Sequence, residues 1–266
     1  MIVTARNEGP LIVSIPHAGL EIPADIAPSL VSLNRARYDA DLYIDQLYAF
    51  AFQLGATIVR TTTSRTVIDV NRDPSGATLY PGQFTTGLCP TETFDGDPLY
   101  HPGKEPDAAE IARRRAAWFD PYHAALRAEI ERLRALHPAI VLYEAHSIRS
   151  VVPKLFDGRL PEFNIGTNSG RSCAPELTQA IAAICAEQGR SHVVDGRFKG
   201  GWTTRHYGQP DTGVHAIQME LAMRTYVTEV PPANWPPRWD DIHAAQAHAT
   251  LRPILTAAID FAKAQA

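Results

Sequence analysis

The 266-residue chain is predicted to form an α/β domain with a mostly parallel or mixed sheet and helices packed against it. Two observations predict it. Short β-branched runs alternate with longer stretches of helical periodicity, the pattern of strands joined through helices. No internal repeat, low-complexity tract or linker interrupts that alternation, so a single domain over 1–266 is expected.

Taken in order, Leu11-Ile12-Val13-Ser14-Ile15 is an apolar run closed by Pro16 and reads as a buried strand. Residues 39–53 carry Leu42, Leu47 and Phe50 at helical spacing. Residues 56–60 and 66–70 read as two further strands. The stretch 73–106 is rich in Gly, Pro and Thr, without periodicity, and a loop that long in a domain is more often a cover for a site than a linker. Residues 107–136 give the strongest helical signal, with a break expected at Pro121, and 139–143 follow as an almost wholly apolar strand. A helix is predicted over 174–187, strands over 191–194 and 214–221, and an amphipathic helix over about 240–264 after the prolines at 232, 236 and 237.

Composition narrows the function. The chain is 45% hydrophobic and 20% charged, ordinary for a soluble protein, and its formal charge of −4 argues against a nucleic-acid or membrane-surface binder. No apolar run reaches the roughly 20 residues a membrane span needs, and the first residues lack the pattern of a signal peptide. Cys89, Cys173 and Cys185 are odd in number and widely spaced, so they read as reduced thiols and a cytoplasmic setting is expected.

In open α/β sheets ligands gather beyond the carboxyl ends of the strands. There the chain places His17 after the first strand, Asn71 and Arg72 after the run at 66–70, Glu144-Ala145-His146-Ser147 after 139–143, and Glu220 near the end of the late strand. Two histidines from separate strands suit a divalent metal, and a catalytic zinc takes a third protein ligand. Asp41 and Asp45 are the natural candidates, with Glu21 further back. Glu220 interrupts an apolar strand, where a carboxylate is costly unless it is paired or serves as a general base. Arg65, Arg72, Arg197 and Arg205 stand in polar surroundings off the amphipathic helices, which suggests an anionic substrate held by guanidinium forks. No nucleophile elbow, phosphate loop or cysteine–histidine pair competes with a metal centre.

These segments together resemble the N-formylglutamate amidohydrolases. The likeness rests on SIPHAG at 14–19, ADLYIDQLYAFA at 40–51, SRTVIDVNR at 64–72, LYPGQFTTGLCP at 79–90, YEAHSIRS at 143–150, GRFKGGWTTRHYG at 196–208 and GVHAIQMEL at 213–221. That family is distantly similar to zinc carboxypeptidases, whose Asn-Arg pair and His-Ser strand end are matched by Asn71-Arg72 and His146-Ser147. The resemblance implies a phosphorylase/hydrolase-like fold, a single-domain three-layer mixed sheet flanked by helices, and one divalent metal, zinc, on His17, Asp41 and His146. It also implies hydrolysis of N-formyl-L-glutamate to L-glutamate and formate, the last step of a histidine-degradation route. Glu220 would serve as general base, Arg65 would stabilise the oxyanion, and Asn71 with Arg72 and one of Arg197 or Arg205 would hold the two substrate carboxylates. Two departures stand out: Leu20 occupies the place of the carboxypeptidase ligand three residues after the first histidine, and Glu144 stands where aspartate is usual. A hydrolase of another N-acyl amino acid or small peptide, and a non-catalytic binder of acidic amino acids, are the alternatives. The sequence carries no sign of the oligomeric state.

Overall fold

A computed structural model describes residues 1–78, 82 and 85–265, so the motif at 79–90 lies partly outside the described residues. Its central sheet is built from β1 (Ile2–Ala5), β2 (Leu11–Ile15), β3 (Thr57–Thr61), β4 (Ile140–Ile148), β5 (Phe163–Gly166), β6 (His192–Val194) and β7 (Val214–Ala222). Their order is β1-β3-β2-β4-β7-β5-β6. The pairs β3–β2, β2–β4, β4–β7 and β5–β6 are parallel, whereas β1–β3 and β5–β7 are antiparallel. The sheet is therefore mixed, as the alternation of elements predicts. A separate two-stranded ribbon joins β8 (Val227–Thr228) to β9 (Arg238–Trp239).

The alternation of side chains along each strand builds two cores. Leu11, Val13, Val141, Tyr143, Ile217 and Met219 face one side, where α5 (Pro175–Glu187) and the long α7 (Asp241–Ala264) cover them. Leu177, Ile181 and Cys185 on α5 recur every four residues, one helical turn apart, so they share the buried stripe. Asp240 caps α7 by accepting from the backbone N–H groups of Ile242 and His243. On the other face Ile12, Ile140, Leu142 and Ala216 meet Tyr122, Leu126, Ile130 and Leu133 of α4 (Asp120–Arg134). All three cysteines are free and buried. No helix among the described residues is long and apolar enough to cross a membrane.

Three elements differ from expectation. The helix of 107–136 is not interrupted at Pro121 but contains a π-helical turn over Arg115–Phe119, between α3 (Ala108–Arg114) and α4. Pro121, lacking an N–H, sits in the first turn of α4, where that donor is not needed. After α1 (Leu33–Arg37), residues 39–53 form only a short α2 (Ile44–Leu47) and a 3₁₀ segment, because Tyr43 takes a left-handed conformation at φ 60° and breaks the helix ahead of Ile44.

Residues 66–70 are not a strand. Their side chains are buried, but the backbone turns: Val67 N–H donates to Ser64 O, Asp69 N–H to Leu88 O, and Val70 O accepts from His123 Nε2 at 2.7 Å. Apolar character reported burial correctly here, while the hydrogen bonds go to turns and side chains instead of a sheet neighbour.

Candidate active site

On the α4 side of the sheet the alternating positions pass from apolar to polar towards the carboxyl ends. After Ile140 and Leu142 come Glu144 and His146; after Val214 and Ala216 come Gln218 and Glu220. β4 runs through His146 to Ile148, so His146 stands within the strand and not beyond it. The parallel register sets His146 opposite Glu220 and Glu144 opposite Gln218.

His17, Asp41 and His146 converge, each buried, with one ligand atom from each lying within 4.8 Å of the others. His146 Nδ1 stands 3.3 Å and His17 Nδ1 3.8 Å from Asp41 Oδ2. The outward nitrogens are held from behind: His17 Nε2 by Asp69 Oδ1 at 2.7 Å, and His146 Nε2 by Glu144 Oε2 at 3.2 Å, with Asn71 Nδ2 3.0 Å from the same nitrogen. Ser147 N–H donates to Asp41 Oδ2, and Asp41 N–H donates to His17 O, so backbone fixes the carboxylate that the broken helix leaves free.

The alternatives to Asp41 lie elsewhere. Asp45 pairs with Arg60 at 3.3 Å, and the largely exposed Glu21 meets Thr62 and the N-terminal amine.

The donor set fits a divalent metal. His17 Nδ1 and Asp41 Oδ1 are buried polar atoms without a hydrogen-bond partner, a costly state that a cation would relieve. Carboxylates behind both imidazoles orient ligand histidines in metal centres generally.

Electrostatics divide the groups. Burial, with the Arg65 charge, lowers His17 to about 4. Burial also pulls on His146, but its hydrogen bonds to Asp41 and Glu144 outweigh that and raise it to about 10. Burial raises the Asp41 carboxyl, yet the His146 hydrogen bond and the His17 charge hold it below the usual range. Burial raises Glu220 to about 7, its ionised form favoured by His146 and opposed by Asp41. Strongly perturbed carboxyl and imidazole groups thus cluster in one place, as they do at functional sites generally.

His17, His146 and Glu220 line a cavity of about 220 Å³, with Asp41 buried behind them. Arg65, Asn71, Arg72, Arg197 and Phe198 form part of its wall. Arg65 donates to Asp69 Oδ2 at 2.7 Å and lies over the Phe94 ring at 4.9 Å. Arg72 donates through Nε to Thr86 O and through Nη2 to Thr86 Oγ1, both at 3.0 Å. Arg197 donates to Leu155 O at 2.7 Å. Arg205, on α6 (Trp202–Tyr207), donates to Gly200 O at 2.8 Å and is not among the described residues lining the cavity.

Asp69 is the residue the sequence reading passed over. It accepts from His17, Arg65 and the Asn71 N–H, and Arg72 lies 3.6 Å away. Burial raises its carboxyl, but the charges of Arg72, His17 and Arg65 hold it well below the ordinary range. A carboxylate inside Val67-Ile68-Asp69-Val70 was the available signal, the same one that marked Glu220.

The chain is similar to known proteins over most of its length. The family model described as N-formylglutamate amidohydrolase matches residues 9–227. An N-formylglutamate deformylase of Pseudomonas aeruginosa is 48% identical over 228 residues, 85% of each chain, and one of Pseudomonas putida is 48% identical over 227 residues, again 85% of each. A crystal structure of N-formylglutamate amidohydrolase from Ralstonia eutropha superposes with a TM-score of 0.82 at 25% identity, covering 100% of this chain and 99% of that one. The chain belongs to the N-formylglutamate amidohydrolase family.

Proposed function

We propose that this protein is a metal-dependent deformylase that hydrolyses N-formyl-L-glutamate to L-glutamate and formate, as a step in histidine degradation. The observation that carries the reading is the buried His17–Asp41–His146 cluster, whose His146 shares a sheet rung with Glu220, with His17, His146 and Glu220 lining a cavity that Arg65, Arg72 and Arg197 also line. The names of the Pseudomonas relatives support the substrate.

His17, Asp41 and His146 would hold one divalent metal, zinc being the ion that two imidazoles and a carboxylate suit. Bound there, it supplies a Lewis acid that acidifies water and polarises a carbonyl. Glu220 takes a proton from the water that attacks the formyl carbon. Arg65, on the cavity wall, faces the negative charge that develops on the formyl oxygen. As the C–N bond breaks, Glu220 returns the proton to the departing glutamate nitrogen. Asn71, Arg72 and Arg197 hold the carboxylates that a dicarboxylic substrate presents.

The test is formate release from N-formyl-L-glutamate before and after chelation, beside N-acetylglutamate and N-formylaspartate. Turnover selective for formylglutamate, lost on chelation and restored by zinc, is the expected result. Full activity after complete metal removal sinks the metal assignment, and a preference for another acyl amino acid sinks the substrate. Glu220→Gln should lower kcat by roughly 10²–10⁴-fold with the metal retained.

A further inference from the structure

Among the described residues, the hydrogen bond that reaches the Glu220 carboxylate comes from Gln218, whose Nε2 donates to Oε2 at 3.1 Å. The two residues are two apart on β7, so both side chains leave the same face of the sheet. Which end of a glutamine amide points where is ordinarily ambiguous. Here Gly201 N–H donates to the other end at 2.7 Å, and an N–H can be met only by oxygen. Oε1 therefore faces Gly201 and Nε2 faces Glu220. A reversed amide would set donor against donor at one end and lone pair against lone pair at the other.

Gly201 is itself pinned. A Cβ there would lie 2.4 Å from the Asn71 amide nitrogen, so glycine alone permits the approach, and Thr203 N–H donates to Asn71 Oδ1 at 2.9 Å. The turn that carries Gly201 follows Arg197 and Phe198 on the cavity wall.

We propose that Gln218 is a positioning residue for the base: its amide, oriented by Gly201, holds Glu220 Oε2 and leaves Oε1 to exchange protons with water. The assignment rests on the reading of Glu220 as general base. It also ties the base to the segment at 197–201 that lines the substrate cavity.

The experiment measures kcat, KM, metal content and melting temperature for the zinc-loaded wild type, Gln218→Glu and Glu220→Gln. Gln218→Glu keeps an oxygen for Gly201 N–H but replaces the fixed amide donor by a carboxyl that either repels Glu220 or shares its proton, so the turn keeps its support while the base loses its oriented donor. A roughly tenfold or greater fall in kcat is expected, from loss of a hydrogen bond to a charged group, with KM within about twofold and metal content unchanged. Wild-type kcat in Gln218→Glu, with Glu220→Gln inactive, overturns this proposal alone. Wild-type kcat in Glu220→Gln overturns the general-base reading beneath it. Should Gln218→Glu fail to fold or to hold metal, Gln218→Asn, which withdraws the amide by one methylene, is judged by the same split between kcat and KM. A rise in KM with kcat intact would place Gln218 in substrate binding and overturn the proposal.

Discussion

Replacing Asp69 by Asn tests the support behind the donor set. The wild-type carboxylate accepts from His17 Nε2 at 2.7 Å and Asn71 N at 2.9 Å through Oδ1, and from Arg65 Nη2 at 2.7 Å through Oδ2. Every one of these partners is a donor, so an asparagine must aim its NH₂ either at the Arg65 guanidinium or at the pair formed by His17 and Asn71. Either way one hydrogen bond becomes a donor–donor contact, and the buried Arg65 loses its closest counter-charge. Removing one partner of a buried ion pair costs about 3–5 kcal/mol. Loss of the carboxylate behind a ligand histidine weakens metal binding by about 10–100-fold. The two effects are read separately: unfolding in urea on metal-stripped protein, then zinc affinity by competition with a chromophoric chelator. Stripping first matters, since bound metal would add its own stabilisation to the folded state. Metal-free Asp69→Asn with wild-type stability, together with unchanged zinc affinity, would refute the reasoning outright.

Other outcomes follow from the same geometry. Arg72→Ala should raise KM for N-formyl-L-glutamate by roughly 10–100-fold, the worth of a charged hydrogen-bond pair, while kcat changes less; an unchanged KM in steady-state kinetics counts against the clamp. Because Arg197 lines the cavity and Arg205 is directed to Gly200 O, KM should rise more for Arg197→Ala than for Arg205→Ala, and the reverse order would exchange their roles. Hydrogen bonds from Arg113, then Arg114, hold Glu110 at about 2, below its ordinary 4.5. A depressed carboxylate adds stability that is present above its unfolded pKa and lost as pH falls through the folded one. Glu110→Gln should therefore be less stable at neutral pH and flatten the fall in unfolding midpoint between pH 4.5 and about 2; parallel acid limbs for mutant and wild type would contradict this.

The elements that could be read from the chain are those whose burial and conformation share one cause. β2, β4 and β7 are flanked on both faces, so their apolar runs announce strands, and α5 and α7 show one apolar stripe each. β1 and β5 passed unseen because each is four residues long, β1 half-buried at the sheet edge and β5 carrying Asn164. The run at 66–70 misled for the opposite reason: it is buried but spends its hydrogen bonds on turns, on Leu88 and on His123. At the site, His17, His146 and Glu220 were legible as polar residues where strands end. The choice of Asp41 over Asp45 depends on the left-handed Tyr43 between them, which no periodicity discloses. Gln218 carried no signal of its own, since its task arises only once the turn at Gly201 is folded against β7.

The register of β4 against β7 separates two design problems. His146 and Glu220 occupy one rung of a parallel ladder, where neighbouring strands stand about 4.8 Å apart whatever side chains they bear. The separation of His146 from Glu220 is thus set by the backbone. Arg72, Thr86, Phe94 and Arg197, by contrast, are borne on irregular segments between the strands. An engineer seeking to admit a different small molecule could graft new segments over 85–94 and 197–199, keeping Gly201 and its hydrogen bond to Gln218, while leaving the spacing of His146 and Glu220 untouched. The sheet acts as an anvil, and the loops are interchangeable dies.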